Sequence, residues 1–125
     1  MKALKPILSA LAIGVLLSNA AFGQTAPAMK ADGILVNSVG MTLYTFDKDS
    51  AGSGKSNCNG PCAAIWPAVG SPTTPISAPY SVVTRDDGAK QLAYHGKPLY
   101  LYAADKKAGE RGGDNVKEVW HIVKD

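Results

Sequence analysis

Two cysteines, two histidines and ten carboxylates are the chemically versatile side chains of this 125-residue sequence. The cysteines lie close together, in Cys58-Asn59-Gly60-Pro61-Cys62. In an oxidising compartment such a pair closes a disulfide. A loop that short gains only about 2 kcal/mol, so its role is to pin a local turn. Two further readings stay open. One is a thiol redox pair, although that motif has two intervening residues and follows a strand of a βαβ unit, a pattern absent here. The other is a pair of metal-binding thiolates. His95, His121 and Met41 are the donors that a copper site would draw on. Widely separated histidines without an i, i+4 partner are weak candidates, and each reads more simply as an exposed or packed residue.

The segment Asp47-Lys48-Asp49-Ser50-Ala51-Gly52 opens like a calcium loop. Such a loop needs an oxygen ligand at its fifth position and an acidic one at its twelfth, where this chain has Ala51 and Cys58. The corresponding stretch from Asp105 through Glu110 and Asp114 fits no better. No Gly-x-Ser-x-Gly elbow, His-Glu-x-x-His pair, phosphate loop or dinucleotide fingerprint occurs, so no catalytic residue is assigned and no cofactor is expected.

The stronger constellation is aromatic. Met41–Phe46 reads as a strand with Tyr44 and Phe46 on one face, and Pro98–Tyr102 as another with Tyr100 and Tyr102 on one face. One reading makes these four rings a binding surface anchored by Asp49 and Asp105. The other packs them into the core, with each aspartate accepting backbone N–H bonds from the turn that leaves its strand. Symmetric use of the pattern favours the second.

The elements that must hold these residues follow from turn chemistry. Residues 24–32 read as a flexible leader, with order starting near Gly33. Ile34-Leu35-Val36 is a short strand and residues 47–57 a loop. Pro61 opens a short helix that Pro67 stops. Residues 67–79 carry four prolines and form an irregular link. Asp86-Asp87-Gly88 turns a hairpin between Ser81–Thr84 and Gln91–Tyr94. His95-Gly96-Lys97 turns again, residues 104–116 are a loop, and Val116–Val123 closes the chain as a strand. The expected class is all-β with small α content.

The chain also repeats itself. Gly40-Met41-Thr42-Leu43-Tyr44-Thr45-Phe46-Asp47-Lys48-Asp49 recurs 56 residues later as Gly96 through Asp105, in the form Gly-x-x-Leu-Tyr-x-aromatic-x-x-Asp. Each copy is followed by a loop and a tryptophan, Trp66 or Trp120. Two antiparallel hairpin units, at about 33–67 and 80–123, therefore pack as one sandwich- or barrel-like domain over 33–125. Half of it would have too little core to stand alone.

With the Cys58…Cys62…Trp66-Pro67 segment and Val119-Trp120-His121, these motifs resemble the bacterial secreted-repeat family. Its members are predicted lipoproteins or secreted proteins with a Tyr-x-(Phe/Trp/Tyr)-x-x-Asp motif. The resemblance spans roughly residues 33–123. It implies a cell-envelope protein and no particular reaction. Unlike the lipoprotein members, this sequence has no cysteine placed for acylation.

Residues 1–23 explain the address. Met1-Lys2-Ala3-Leu4-Lys5, a short apolar run from Ile7 to Leu17 and the small pair Ala21 and Gly23 form a secretory signal. The run is too short to span a bilayer, which takes about 20 residues. Cleavage after Gly23, with Ala20 and Ala21 as the alternative positions, leaves 102 residues, with Lys2 and Lys5 removed and 11 basic against 10 acidic side chains. Near neutrality and without an arginine stripe, nucleic acid is not an expected partner. The expectation is a soluble, monomeric, non-enzymatic binding module of the periplasm or exterior, its partner an envelope component or a small ligand. A periplasmic copper-binding or redox protein is the alternative.

Overall fold

Alternation of leucine and aromatic residues along two short segments builds the two halves of the core. The computed structural model describes residues 27–124, so the expected signal segment lies outside the described residues. Strands β1 (Met29–Ala31) and β2 (Ile34–Val36) form a hairpin, and β3 (Tyr44–Phe46) follows. Helix α1 (Pro61–Ile65) comes next, then β4 (Tyr80–Thr84), β5 (Lys90–Tyr94) and β6 (Lys97–Pro98). A 3-10 turn (Val116–Glu118) leads into β7 (Trp120–Ile122). The class is mostly β, in three small antiparallel sheets: β1-β2, β3-β7 and β4-β5-β6. The expected barrel alternative fails, because no closed barrel forms among the described residues.

Isolated bridges knit these sheets together across the pseudo-twofold axis. Tyr44 pairs with Tyr100, Tyr100 also with Ala68, and Gly70 with Gln91. Each repeat's motif strand pairs with the tryptophan-bearing tail of the other repeat. Asp47 N–H donates to Val119 O at 2.8 Å, and at the matching place Ala103 N–H donates to Ile65 O at 2.8 Å. Leu35 N–H meets Val123 O at 2.9 Å, and Leu92 N–H meets Val69 O at 2.8 Å. The halves are thus interwoven rather than stacked.

Side-chain alternation sorts the core into two layers. Leu35, Leu43, Leu92 and Leu99 pack together on one side, with Leu101 and Val123 against them. Tyr44, Phe46, Tyr100, Trp66, Trp120 and Cys58 pack on the other. Burying each large apolar side chain contributes about 1.5–3 kcal/mol.

Four sequence expectations need correction. The leader was expected to run to Asp32, yet Met29–Ala31 pairs with Val36–Ile34. Asp32 and Gly33 both adopt positive φ there (50° and 83°), the geometry of a tight hairpin turn. Val116–Val123 was expected to be one strand; only Trp120–Ile122 is extended, since left-handed Asn115, Lys117 and Glu118 curl the approach. Pro98–Tyr102 was expected as a strand; the regular part is Lys97–Pro98, and Tyr100 is held instead by bridges to two different neighbours. The proline-rich link is also less irregular than expected, because Ala68 and Gly70 join those bridges.

Candidate functional site

Tyr44 and Tyr100 are fully buried at the repeat junction. The Tyr44 hydroxyl donates to Asp105 Oδ2 at 2.5 Å, and the Tyr100 hydroxyl donates to Asp49 Oδ2 at 2.5 Å. Each aspartate's other oxygen accepts a backbone N–H from the loop behind it: Asn57 to Asp49 at 2.6 Å, Gly112 to Asp105 at 3.0 Å. The motif aspartate therefore receives the loop of its own repeat and the tyrosine of the other. Burial, reinforced by the carboxylate partner, raises both phenols well above the ordinary tyrosine range. Burial also raises the Asp49 carboxyl, against the opposing pull of the Tyr100 and Asn57 hydrogen bonds and of Arg85 and Lys97 charge.

Around Tyr100 the network is richer than around Tyr44. Ser56 Oγ lies 2.6 Å from the Tyr100 hydroxyl, and buried Arg85 donates to Ser56 Oγ at 2.9 Å and Gln91 Oε1 at 2.7 Å. Arg85 also donates to the Cys58 carbonyl, and Gln91 to Leu99 O at 2.7 Å. Its fork thus ties the β4-β5 hairpin to the disulfide loop. On the Tyr44 side, Gly113 N–H donates to the Tyr44 hydroxyl at 3.1 Å. A Cβ at Gly113 would come within 2.8 Å of the Trp66 ring and 2.9 Å of Tyr44 Cζ.

The remaining rings form a column. Trp66 and Trp120 stack with centroids 3.8 Å apart and planes 3° from parallel. Phe46 covers the outer side of Trp120 at 4.1 Å, and Tyr102 covers Trp66 at 4.3 Å. Every contact in the series Phe46–Trp120–Trp66–Tyr102 joins one repeat to the other. Tyr44 and Tyr100 meet the column edge-on. Beside it lies a cleft of about 540 Å³, walled by Ile65 and Cys62 of α1 on one side and Val116, Lys117 and Val119 on the other, with Lys48 at its margin.

Cys58 and Cys62 are joined in a disulfide, so neither sulfur stands as a thiolate for a metal. His121 Nε2 lies 2.8 Å from Asp47 Oδ2 on the surface, while His95 sits at positive φ in the β5-β6 turn and Met41 just before β3. No three His, Cys, Asp or Glu side chains group as metal ligands among the described residues. No helix among them is long and apolar enough to cross a membrane.

The sequence expectation of aromatics and capping aspartates named Tyr44, Phe46, Asp49, Tyr100, Tyr102 and Asp105, and the fold brings all six into one junction. It missed the exchange between repeats, the Arg85 network and the cleft. The spacing of Trp66 and Trp120 behind their motifs was the available signal for the column. Arg85, which occurs outside both motifs, carried none.

No curated protein and no solved structure matches the chain. A family model described as a secreted repeat of unknown function matches twice, over residues 27–70 and 81–124. The two matched segments are the two interwoven halves described above, and the chain belongs to that secreted-repeat family.

Proposed function

We propose that this protein is a non-enzymatic binding module of the bacterial periplasm or exterior, and that the cleft beside the aromatic column is its ligand site. The observation that carries the reading is the cleft itself: about 540 Å³, lined by aromatic and aliphatic side chains with few polar groups. That is the size and character of small-molecule sites, which run about 300–1,000 Å³. Its walls come from both repeats, so the interwoven fold holds them at a fixed separation. Rigid backing of this kind lowers the entropic cost of binding. The Tyr–Asp pairs serve the scaffold by locking the junction behind the column.

The test is residue-resolved NMR of the folded protein titrated with a panel of small aromatic compounds. Saturable shifts centred on Ile65, Val116 and Val119 are expected. Shifts scattered over the surface, or none at millimolar concentration, would refute the assignment.

A further inference from the structure

We infer that the cleft selects a planar aromatic anion, a molecule of two or three rings bearing a carboxylate or sulfonate. This rests on the cleft being the ligand site and adds the chemistry of what enters it. Three observations converge. The first is the orientation of the column. Trp66 is covered on its two faces by Trp120 and Tyr102, and Trp120 by Phe46 and Trp66. With both faces of each indole covered, only ring edges are left to border the cleft, and aromatic edges carry the positive end of the ring quadrupole. A ring face or an anionic group is the complement to such a floor.

The second is charge. Lys48 and Lys117 line the cleft, and no aspartate or glutamate does. No ion pair of either lysine occurs among the described residues. A cationic ligand would meet two like charges, whereas an anion would be held at the rim while its rings entered between Ile65 and Val119.

The third is backbone strain. Asn115, Lys117 and Glu118 all hold positive φ (66°, 51° and 62°), three non-glycine residues within four positions. This costs Lys117 and Glu118 roughly 1–2 kcal/mol each, asparagine adopting the region more readily, and such strain concentrates at ligand-gripping segments. The run persists because Glu118 N–H bonds Asn115 O at 2.9 Å and Val119 N–H bonds Val116 O at 3.1 Å. In the first repeat the matching wall is the ordinary helix α1. The strained wall is the one that carries Lys117, so the duplication has diverged where it faces the cleft.

The experiment compares anilinonaphthalene sulfonate with its uncharged parent, phenylnaphthylamine, by fluorescence titration of the folded protein, with the binding position read from NMR shifts. The sulfonate is expected to bind about tenfold more tightly, the effect of two partly exposed charge contacts. Lys48→Gln/Lys117→Gln should erase that difference, weakening sulfonate binding about tenfold while phenylnaphthylamine binding changes far less. Both lysines are exposed, so the variant keeps its fold, which circular dichroism checks. Equal affinity for the two compounds, or a double variant indistinguishable from wild type, would overturn the anion preference while the cleft stands. Absence of both compounds from the cleft would overturn the ligand-site reading as well.

Discussion

Tyr44 and Tyr100 exchange two backbone hydrogen bonds, 2.8 Å from Tyr44 N–H to Tyr100 O and 2.9 Å in return. Their side chains then diverge, each to the aspartate of the opposite repeat. Four bonds about one axis thus join residues far apart in sequence, and the motif segment of each repeat finds its partner in the other.

Removing either phenol should strand a buried carboxylate oxygen. Tyr44→Phe and Tyr100→Phe are each expected to lose about 1–3 kcal/mol in urea unfolding at neutral pH. Asp49→Asn should be milder than Asp49→Ala, because the amide keeps the acceptor for Asn57 N–H and sheds a buried charge. Equal losses for the two Asp49 variants would contradict this account.

High pH should unfold the protein through these same groups. Both phenols are neutral in folded and unfolded chains below the ordinary tyrosine value of 10.0. Above it the unfolded chain ionises first, because the folded values are raised, so stability falls as pH climbs. Urea midpoints measured from neutrality into strong alkali should drop, and Tyr44→Phe/Tyr100→Phe should flatten the drop. An unchanged slope in that variant would refute the assignment.

Gly113 leaves no room for a methyl group against Trp66 and Tyr44. Gly113→Ala is expected to cost about 1–3 kcal/mol through overpacking and to alter tryptophan fluorescence by shifting the indole pair. Gly109→Ala gives a useful contrast: nothing lies near its added Cβ, and its penalty comes from positive φ alone. It should leave the fluorescence unaltered.

The Cys58–Cys62 bond closes so short a loop that it removes little entropy from the unfolded chain, so Cys58→Ser/Cys62→Ser should lose only about 2 kcal/mol and keep the fold. Far-UV circular dichroism and a urea titration check this. Global unfolding of the variant at room temperature would assign the disulfide a larger role.

Separated halves should be unfolded. Peptides spanning 27–79 and 80–124 are expected to lack ordered structure alone, since each motif strand would lose its partner. Mixed together, they should recover the stacked-tryptophan signal. A folded single half would contradict the interwoven topology.

Local chemistry was readable where neighbours in sequence are neighbours in space. Asp86-Asp87-Gly88 announces the β4-β5 hairpin, Pro61 and Pro67 bracket α1, and the Leu-Tyr-x-aromatic order assigns faces. Asp32-Gly33 was an overlooked signal of the same kind. Val116–Val123 misled because its β-branched residues favour a strand, while positive φ at Asn115, Lys117 and Glu118 curls the chain into a turn closed by i→i+3 backbone bonds. The cleft was beyond reach for a further reason. Its two walls are distant in sequence and only the twofold arrangement brings them together, and Lys48 and Lys117 look there like any solvated lysines.

The reciprocal exchange of tryptophan tails also bears on how the two halves find each other. A lone repeat with this pattern has a strand without a neighbour, a tyrosine without its carboxylate and an indole without its stacking partner. A second identical chain supplies all three at once, through an isologous contact. In this chain that second copy is covalently attached, so the pairing of the two halves is intramolecular and does not depend on protein concentration. The halves are not copies in every detail: the first carries the disulfide and the second a left-handed wall.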